Sequence, residues 1–110
     1  MDVATRIVGD VTIVAISGSL DSNTAPQAKP ALDAVGSSEA RKVAIDFSAL
    51  DYVSSAGLRV LLGLAKQLSG KGGSLRTFGL NPSVREVFDI SGFTTILRAF
   101  PSEADALSGF

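Results

Sequence analysis

The apolar positions of the chain alternate between a two-residue and a helical period, and the changes of period mark its elements. Two short apolar runs, Val3 to Val8 and Val11 to Ser17, flank Gly9-Asp10. A glycine-first pair suits a type II′ turn, so the chain is predicted to open with an antiparallel hairpin. In the second run Val11, Ile13 and Ala15 point one way and Thr12, Val14 and Ile16 the other, which predicts a strand covered on both faces. Ala25, Ala28, Leu32 and Val35 then form a helical stripe behind the capping residues Ser22, Asn23 and Thr24. Pro26 fits a first turn, whereas Pro30 removes an interior hydrogen bond at a cost of roughly 3 kcal/mol, predicting a kink or a later start.

Gly36-Ser37-Ser38 ends that helix, and Lys42 to Phe47 reads as the next strand. Ser48 to Val53 leads into the most strongly patterned helix, from about Ser55 to Ser69. Leu58, Leu61, Leu62, Ala65 and Leu68 make its stripe, widened by Val60 and Leu64. Gly70-Lys71-Gly72-Gly73 closes it, Leu75 to Gly79 is a further strand, and Asn81-Pro82 is a cap followed by proline at the first helical position. Val84, Val87 and Phe88 supply the buried face of that helix, Ser91-Gly92 stops it, and Thr95 to Phe100 is expected to add a short strand. A polar tail follows, with Leu107 as its one obvious anchor. The order of elements predicts a single α/β domain over residues 1–110: a mixed sheet, with an N-terminal antiparallel hairpin and then parallel strands, under about four helices.

Composition narrows the function more than the fold. The 110 residues are 45% hydrophobic, enough for one core, and carry 10 Lys plus Arg against 11 Asp plus Glu with no block of either sign. Nucleic-acid binding needs cations gathered on one face, and none are. The chain contains neither cysteine nor histidine. Disulfides, thiolate chemistry and the commonest general base and metal ligand are thereby absent, and neither catalysis nor a bound metal or cofactor is expected. No run approaches the ~20 apolar residues of a membrane span, and Met1 to Asp10 has no apolar signal core. A cytoplasmic protein without a membrane partner is expected.

The stretch Asp51-Tyr52-Val53-Ser54-Ser55-Ala56-Gly57-Leu58-Arg59 lies where a strand and its loop feed a helix N-terminus. Two readings apply to the serines. Either hydroxyl can cap free backbone N–H groups. Alternatively one is phosphorylated, the added dianion being stabilised by the helix dipole and free amides. Arg59, four residues after Ser55, is either a solvated cation or a partner for that phosphate. Gly57 reads equally as close packing or as room for a partner, and Gly63 as packing against the sheet.

These residues carry a resemblance. Val53 to Leu62 resembles the signature of the STAS-domain anti-sigma factor antagonists: Asp or Ser, a phosphoacceptor Ser or Thr, a small residue, then Gly and Leu opening an amphipathic helix. Gly18 to Ala25 is similar to the family's loop after the second strand, Val43 to Ser48 to its strand-plus-Asp-hydroxyl segment, and the tail to its ending. The resemblance covers nearly the whole chain. It implies a bacterial partner-switching module of transcription regulation. Ser55 matches the serine phosphorylated by an anti-sigma factor with serine kinase activity, and Ser54, where the family often has aspartate, is the alternative acceptor. The implied partner-binding surface comprises Asp21, Ser22, Asn23, Thr24, Tyr52, Ser54, Ala56, Gly57, Leu58 and Arg59.

On this resemblance, the unphosphorylated form binds the kinase and frees the sigma factor, and a metal-dependent serine phosphatase restores that form. ATP and magnesium belong to the kinase, and the chain is expected to be a monomer or weak dimer. Asp21 is either an acid of the docking surface or a turn acid. Asp46 is expected to bind backbone or hydroxyl groups near the switch. Pro30 is atypical of the family. Two rivals stand beside this reading. A phospho-aspartate receiver using Asp46 lacks the acidic cluster it would need. A STAS-like regulatory subunit of another assembly, such as a transport accessory or a non-sigma output, shares the fold.

Overall fold

The computed structural model describes residues 1–93 and 96–110. The chain runs through β1 (Asp2–Val8), β2 (Val11–Leu20), α1 (Ala25–Gly36), β3 (Lys42–Asp46), β4 (Leu50–Val53), α2 (Ser55–Gly70), β5 (Ser74–Phe78), α3 (Pro82–Ile90), β6 (Arg98–Phe100) and α4 (Glu103–Leu107). The main sheet has the order β1-β2-β3-β5-β6, and β4 pairs with β2 off that path. β1 is antiparallel to β2, and every other pairing is parallel.

The expected hairpin forms. Val8 faces Val11 across Gly9-Asp10, and Gly9 takes φ +63° while Asp10 stays at negative φ, as a type II′ turn requires. Lys42 Nζ donates to Asp10 Oδ2 at 2.7 Å, and this hydrogen bond and the ammonium charge hold the Asp10 carboxyl below the usual carboxylate range. Further along, β2 is covered on both faces. Val14 and Ile16 join the larger apolar cluster, beneath α1, α2 and α3, while Val11 and Ile13 join a smaller one beneath α4.

Three expectations are corrected. First, of the kink or later start expected from Pro30, the later start does not occur: α1 begins at Ala25 and continues through Pro30 to Gly36. Pro26 and Pro30 both face solvent, so the carbonyl that loses its donor can bond to water, and the buried stripe Ala25, Ala28, Leu32 and Val35 holds the helix. Its C-terminal end is closed from α2, where Lys71 Nζ donates to Gly36 O (2.9 Å) and to Ser38 O. Second, Ser48 to Val53 is not wholly a connection, because Leu50–Val53 forms β4. Third, Leu107 is not the sole anchor of the tail: Ala106 is fully buried, and Phe110 packs on the same cluster.

The remaining elements match their expected places. Asn81 caps α3, accepting from Val84 N–H at 2.8 Å. Phe88 packs edge-on against Phe47, with ring centroids 5.7 Å apart. The last strand is β6; Thr95, where that strand is expected to begin, lies outside the described residues.

Candidate functional site

β2 and β4 carry the site between them. Leu20 and Val53, the last residues of these strands, are register partners, and Ser54 N–H donates to Leu20 O at 2.9 Å. The loop after β2 and the start of α2 therefore leave the sheet side by side. Within β4 the register shifts between Gly18 and Ser19 of its partner strand, so Leu50 pairs with Gly18, Tyr52 with Ser19, and Asp51 is the extra residue. A bulge of this kind re-aims side chains. Leu50 and Val53 turn inward, whereas Asp51 and Tyr52 both face solvent, Tyr52 at 51% exposure.

The two serines have separate tasks. Ser54 occupies the N-cap of α2 in extended backbone, and its hydroxyl accepts from Gly57 N–H at 3.4 Å, a long contact. Ser55 is the first helical residue, and its exposed hydroxyl has no hydrogen-bond partner among the described residues. One hydroxyl serves the helix, and the other faces outward where free amides and the positive helix end favour an anion. Arg59 is exposed and forms no ion pair among the described residues.

Beneath this surface the chain is tightly packed. Gly57 is buried, and a Cβ there would fall 2.5 Å from Leu20 O and 2.8 Å from Leu20 Cγ, which settles its role as close packing against the end of β2. Leu58 is buried with it, so these two residues support the helix start from below, and Ala56 is half-buried. Gly63 is the reverse case and corrects its expectation: it is exposed, with open space where a Cβ would stand, so packing does not require it.

The loop from Asp21 to Thr24 is wound by its own side chains. Asp21 Oδ1 accepts from the N–H groups of Asn23 (2.9 Å) and Thr24 (3.1 Å). Thr24 Oγ1 accepts from Asp21 N–H (2.9 Å) and donates to Ser19 O (2.7 Å). Thr24 stands at the N-cap of α1 without making a side-chain capping bond, because its hydroxyl is used within the loop. Asp21 thus makes the turn, and Ser22 and Asn23 stand exposed beside it. Asp46 behaves as expected of a strand-end acid, its Oδ1 accepting from Ser48 N–H (2.8 Å) and Ser48 Oγ–H.

One supporting residue carries a second contact that the sequence did not reveal. Asn81, legible as a helix cap, also donates from Nδ2 to Leu50 O at 2.9 Å, tying α3 to the strand that presents Tyr52. Among the described residues, no group of three His, Cys, Asp or Glu gathers as a cation site, and no helix is long and apolar enough to cross a membrane.

This arrangement, a hairpin-edged parallel sheet presenting a helix-start serine beside the loop after β2, defines a class before it defines a protein. The family model described as "STAS domain" matches residues 2–106, and the chain belongs to the STAS-domain family. Among its relatives, the protein named "Putative anti-sigma factor antagonist BtrV" of Bordetella bronchiseptica is 41% identical over 103 residues, covering 94% of this chain and 89% of that one. An anti-sigma F factor antagonist of Paenibacillus polymyxa is 31% identical over 99 residues, covering 89% and 85%. The crystal structure of an anti-sigma factor antagonist from Mycobacterium paratuberculosis is similar with a TM-score of 0.90 at 27% identity, covering 97% of this chain and 91% of that one.

Proposed function

We propose that the chain is an anti-sigma factor antagonist of the partner-switching kind, acting in the cytoplasm without catalysis of its own. The observation that carries this reading is the exposed, unengaged hydroxyl of Ser55 at the first position of α2, in a chain whose relatives are named as such antagonists. The unphosphorylated surface formed by Asp21 to Thr24, Tyr52, Ser54, Ser55 and Arg59 receives an anti-sigma factor with serine kinase activity. Gly57 and Leu58 shape that surface from underneath. Transfer of a phosphoryl group to Ser55 Oγ places a dianion in the contact, and its desolvation and repulsion by acidic groups there cost about 2–5 kcal/mol of binding. Arg59 partners the phosphate within the free protein, and a metal-dependent serine phosphatase reverses the step.

The test is incubation of the chain with the cognate kinase and ATP, followed by mass spectrometry of the Val53 to Arg59 segment. Pull-downs then compare the wild type with Ser55→Ala and Ser55→Asp. The expected outcome is phosphate on Ser55, retained binding by Ser55→Ala, and binding weakened by at least about tenfold in Ser55→Asp. Label on Ser54 alone would move the acceptor by one residue. Label only outside this segment, or full binding by Ser55→Asp, would overturn the mechanism.

A further inference from the structure

The main run of the sheet ends in two unlike strands. β6 offers three residues, whereas β1 offers seven and is paired on one side only. Natural edge strands of that length are ordinarily guarded against pairing with another chain by proline, a bulge or outward charge. β1, reading DVATRIV, has no proline, and its register with β2 runs unbroken from Asp2↔Ser17 to Val8↔Val11. Its one cation, Arg6, is turned to Glu103 of α4. Ile7 and Val8 are left 75% and 38% exposed.

The hairpin decides which backbone groups of β1 are free. A two-residue turn closes on a hydrogen-bonded pair, here Val8 and Val11, and bonded pairs alternate along an antiparallel ladder. Arg6, Ala4 and Asp2 therefore direct their N–H and C=O groups to β2, while Val3, Thr5 and Ile7 direct theirs outward. The same three residues, with Ala31 and Ala34 of α1, line a groove of about 700 Å³.

Charge selects one register for an added strand. Asp2 and Arg6 lie on one face of β1, four residues apart, and Asp2 has no ion pair among the described residues. In an antiparallel copy with its two-fold axis beside Ala4, Asp2 stands opposite Arg6 of the second copy, and Arg6 opposite its Asp2. Val3 and Thr5 exchange backbone bonds in both directions, and exposed Ile7 lies against Met1. A two-fold at Thr5 pairs no charges, and one at Arg6 sets like charges together. We infer that β1 is a self-complementary docking edge for a second copy of this chain, antiparallel about Ala4, which joins two sheets into one and closes the groove beneath α1.

Sedimentation velocity over a concentration series, with amide hydrogen exchange at each concentration, tests this. The wild type dimerises, and the amides of Val3, Thr5 and Ile7 gain protection as it does. Thr5→Pro removes the central outward donor and leaves the β2 ladder its bonds, so it abolishes the dimer. Asp2→Arg weakens association by about tenfold by turning two attractions into repulsions, and Asp2→Arg/Arg6→Asp restores it when Glu103, the partner of Arg6 within its own chain, is Gln in every variant compared. Should Thr5→Pro fail to fold by circular dichroism, the charge-reversal pair carries the test alone. A wild type still monomeric at roughly 1 mM, or a dimer indifferent to Asp2→Arg whose new protection lies outside β1, overturns the inference. Neither result bears on Ser55, so the switch reading stands or falls separately.

Discussion

The two faces of the sheet are held by different means. Against α1, α2 and α3 a continuous apolar cluster runs from Val14 and Ile16 through Val43, Ile45, Phe47 and Leu58, Leu61, Leu64 and Leu68 of α2 to Val84 and Phe88. Area does the holding there, at about 25 cal/mol per Å² of apolar surface removed from water. The opposite face has, among the described residues, Val11, Ile13, Ala44 and Phe78 beneath Ala106, with Phe100, Leu107 and Phe110 at the margin. Its cover, α4, is five residues long, too short to persist by itself.

Arg76 makes up that difference. Its Nη1 donates to Ala106 O (2.9 Å) and Ser108 O (2.8 Å), and its Nη2 to Gly109 O (3.2 Å). The guanidinium carbon also lies 4.4 Å from the ring centroid of Phe110 and 5.1 Å from that of Phe100. One face is secured by many non-directional contacts, and the other leans on a few cations, chief among them Arg76, which caps a helix end and stacks between rings, with Arg6 paired to Glu103 and Arg98 over Phe100 beside it. Many contacts resist the loss of any one, whereas a clamp does not.

Substitutions at three positions probe that contrast, from the largest effect to the smallest. Phe47→Ala, in the fully buried centre of the larger cluster, is expected to cost about 3–5 kcal/mol in denaturant unfolding and to raise exchange throughout the sheet. Arg76→Ala is expected to cost about 1–2 kcal/mol, with faster exchange confined to residues 103–110 and the amides of Ser54 to Arg59 unchanged. Arg76→Lys does not restore protection, because an ammonium lacks the flat fork that reaches three carbonyls while stacking. Global loosening in Arg76→Ala would erase the distinction between the faces. Gly63→Ala, on solvent-facing helix with open space at its Cβ, is expected to stabilise the domain by up to about 1 kcal/mol. A loss instead would mean that the outer face of α2 has a contact of its own.

The elements that follow a clean period are legible without coordinates: the hairpin, the stripe of α2 and the capped start of α3. β4 is not, because the bulge at Asp51 puts Leu50 and Val53 on the inside and two adjacent residues outside, which destroys the two-residue alternation that marks a strand. α4 escapes for another reason: Glu103 to Leu107 is shorter than the windows in which a helical period can be counted. The candidate site divides the same way. Ser54-Ser55 at a helix start is visible as a pair, but which hydroxyl caps and which is free depends on the extended backbone at Ser54. Gly57 and Gly63 look alike in a helical pattern. Only the position of Leu20 O separates a glycine that packing demands from one that it does not.

By itself, the order of residues determined the α/β class, the antiparallel opening, the amphipathic helices and the placing of a serine pair at the mouth of α2, since all of these follow from local periods and local caps. Tertiary structure decided what depends on residues distant in the chain. It brought the loop after β2 against α2 through Leu20 and Ser54, left Ser55 free, clamped α4 by Arg76 and exposed the outward groups of β1. Periodicity reports which side of an element is buried. It carries no information about which other element does the burying, and the distinctions that matter for binding are of that second kind.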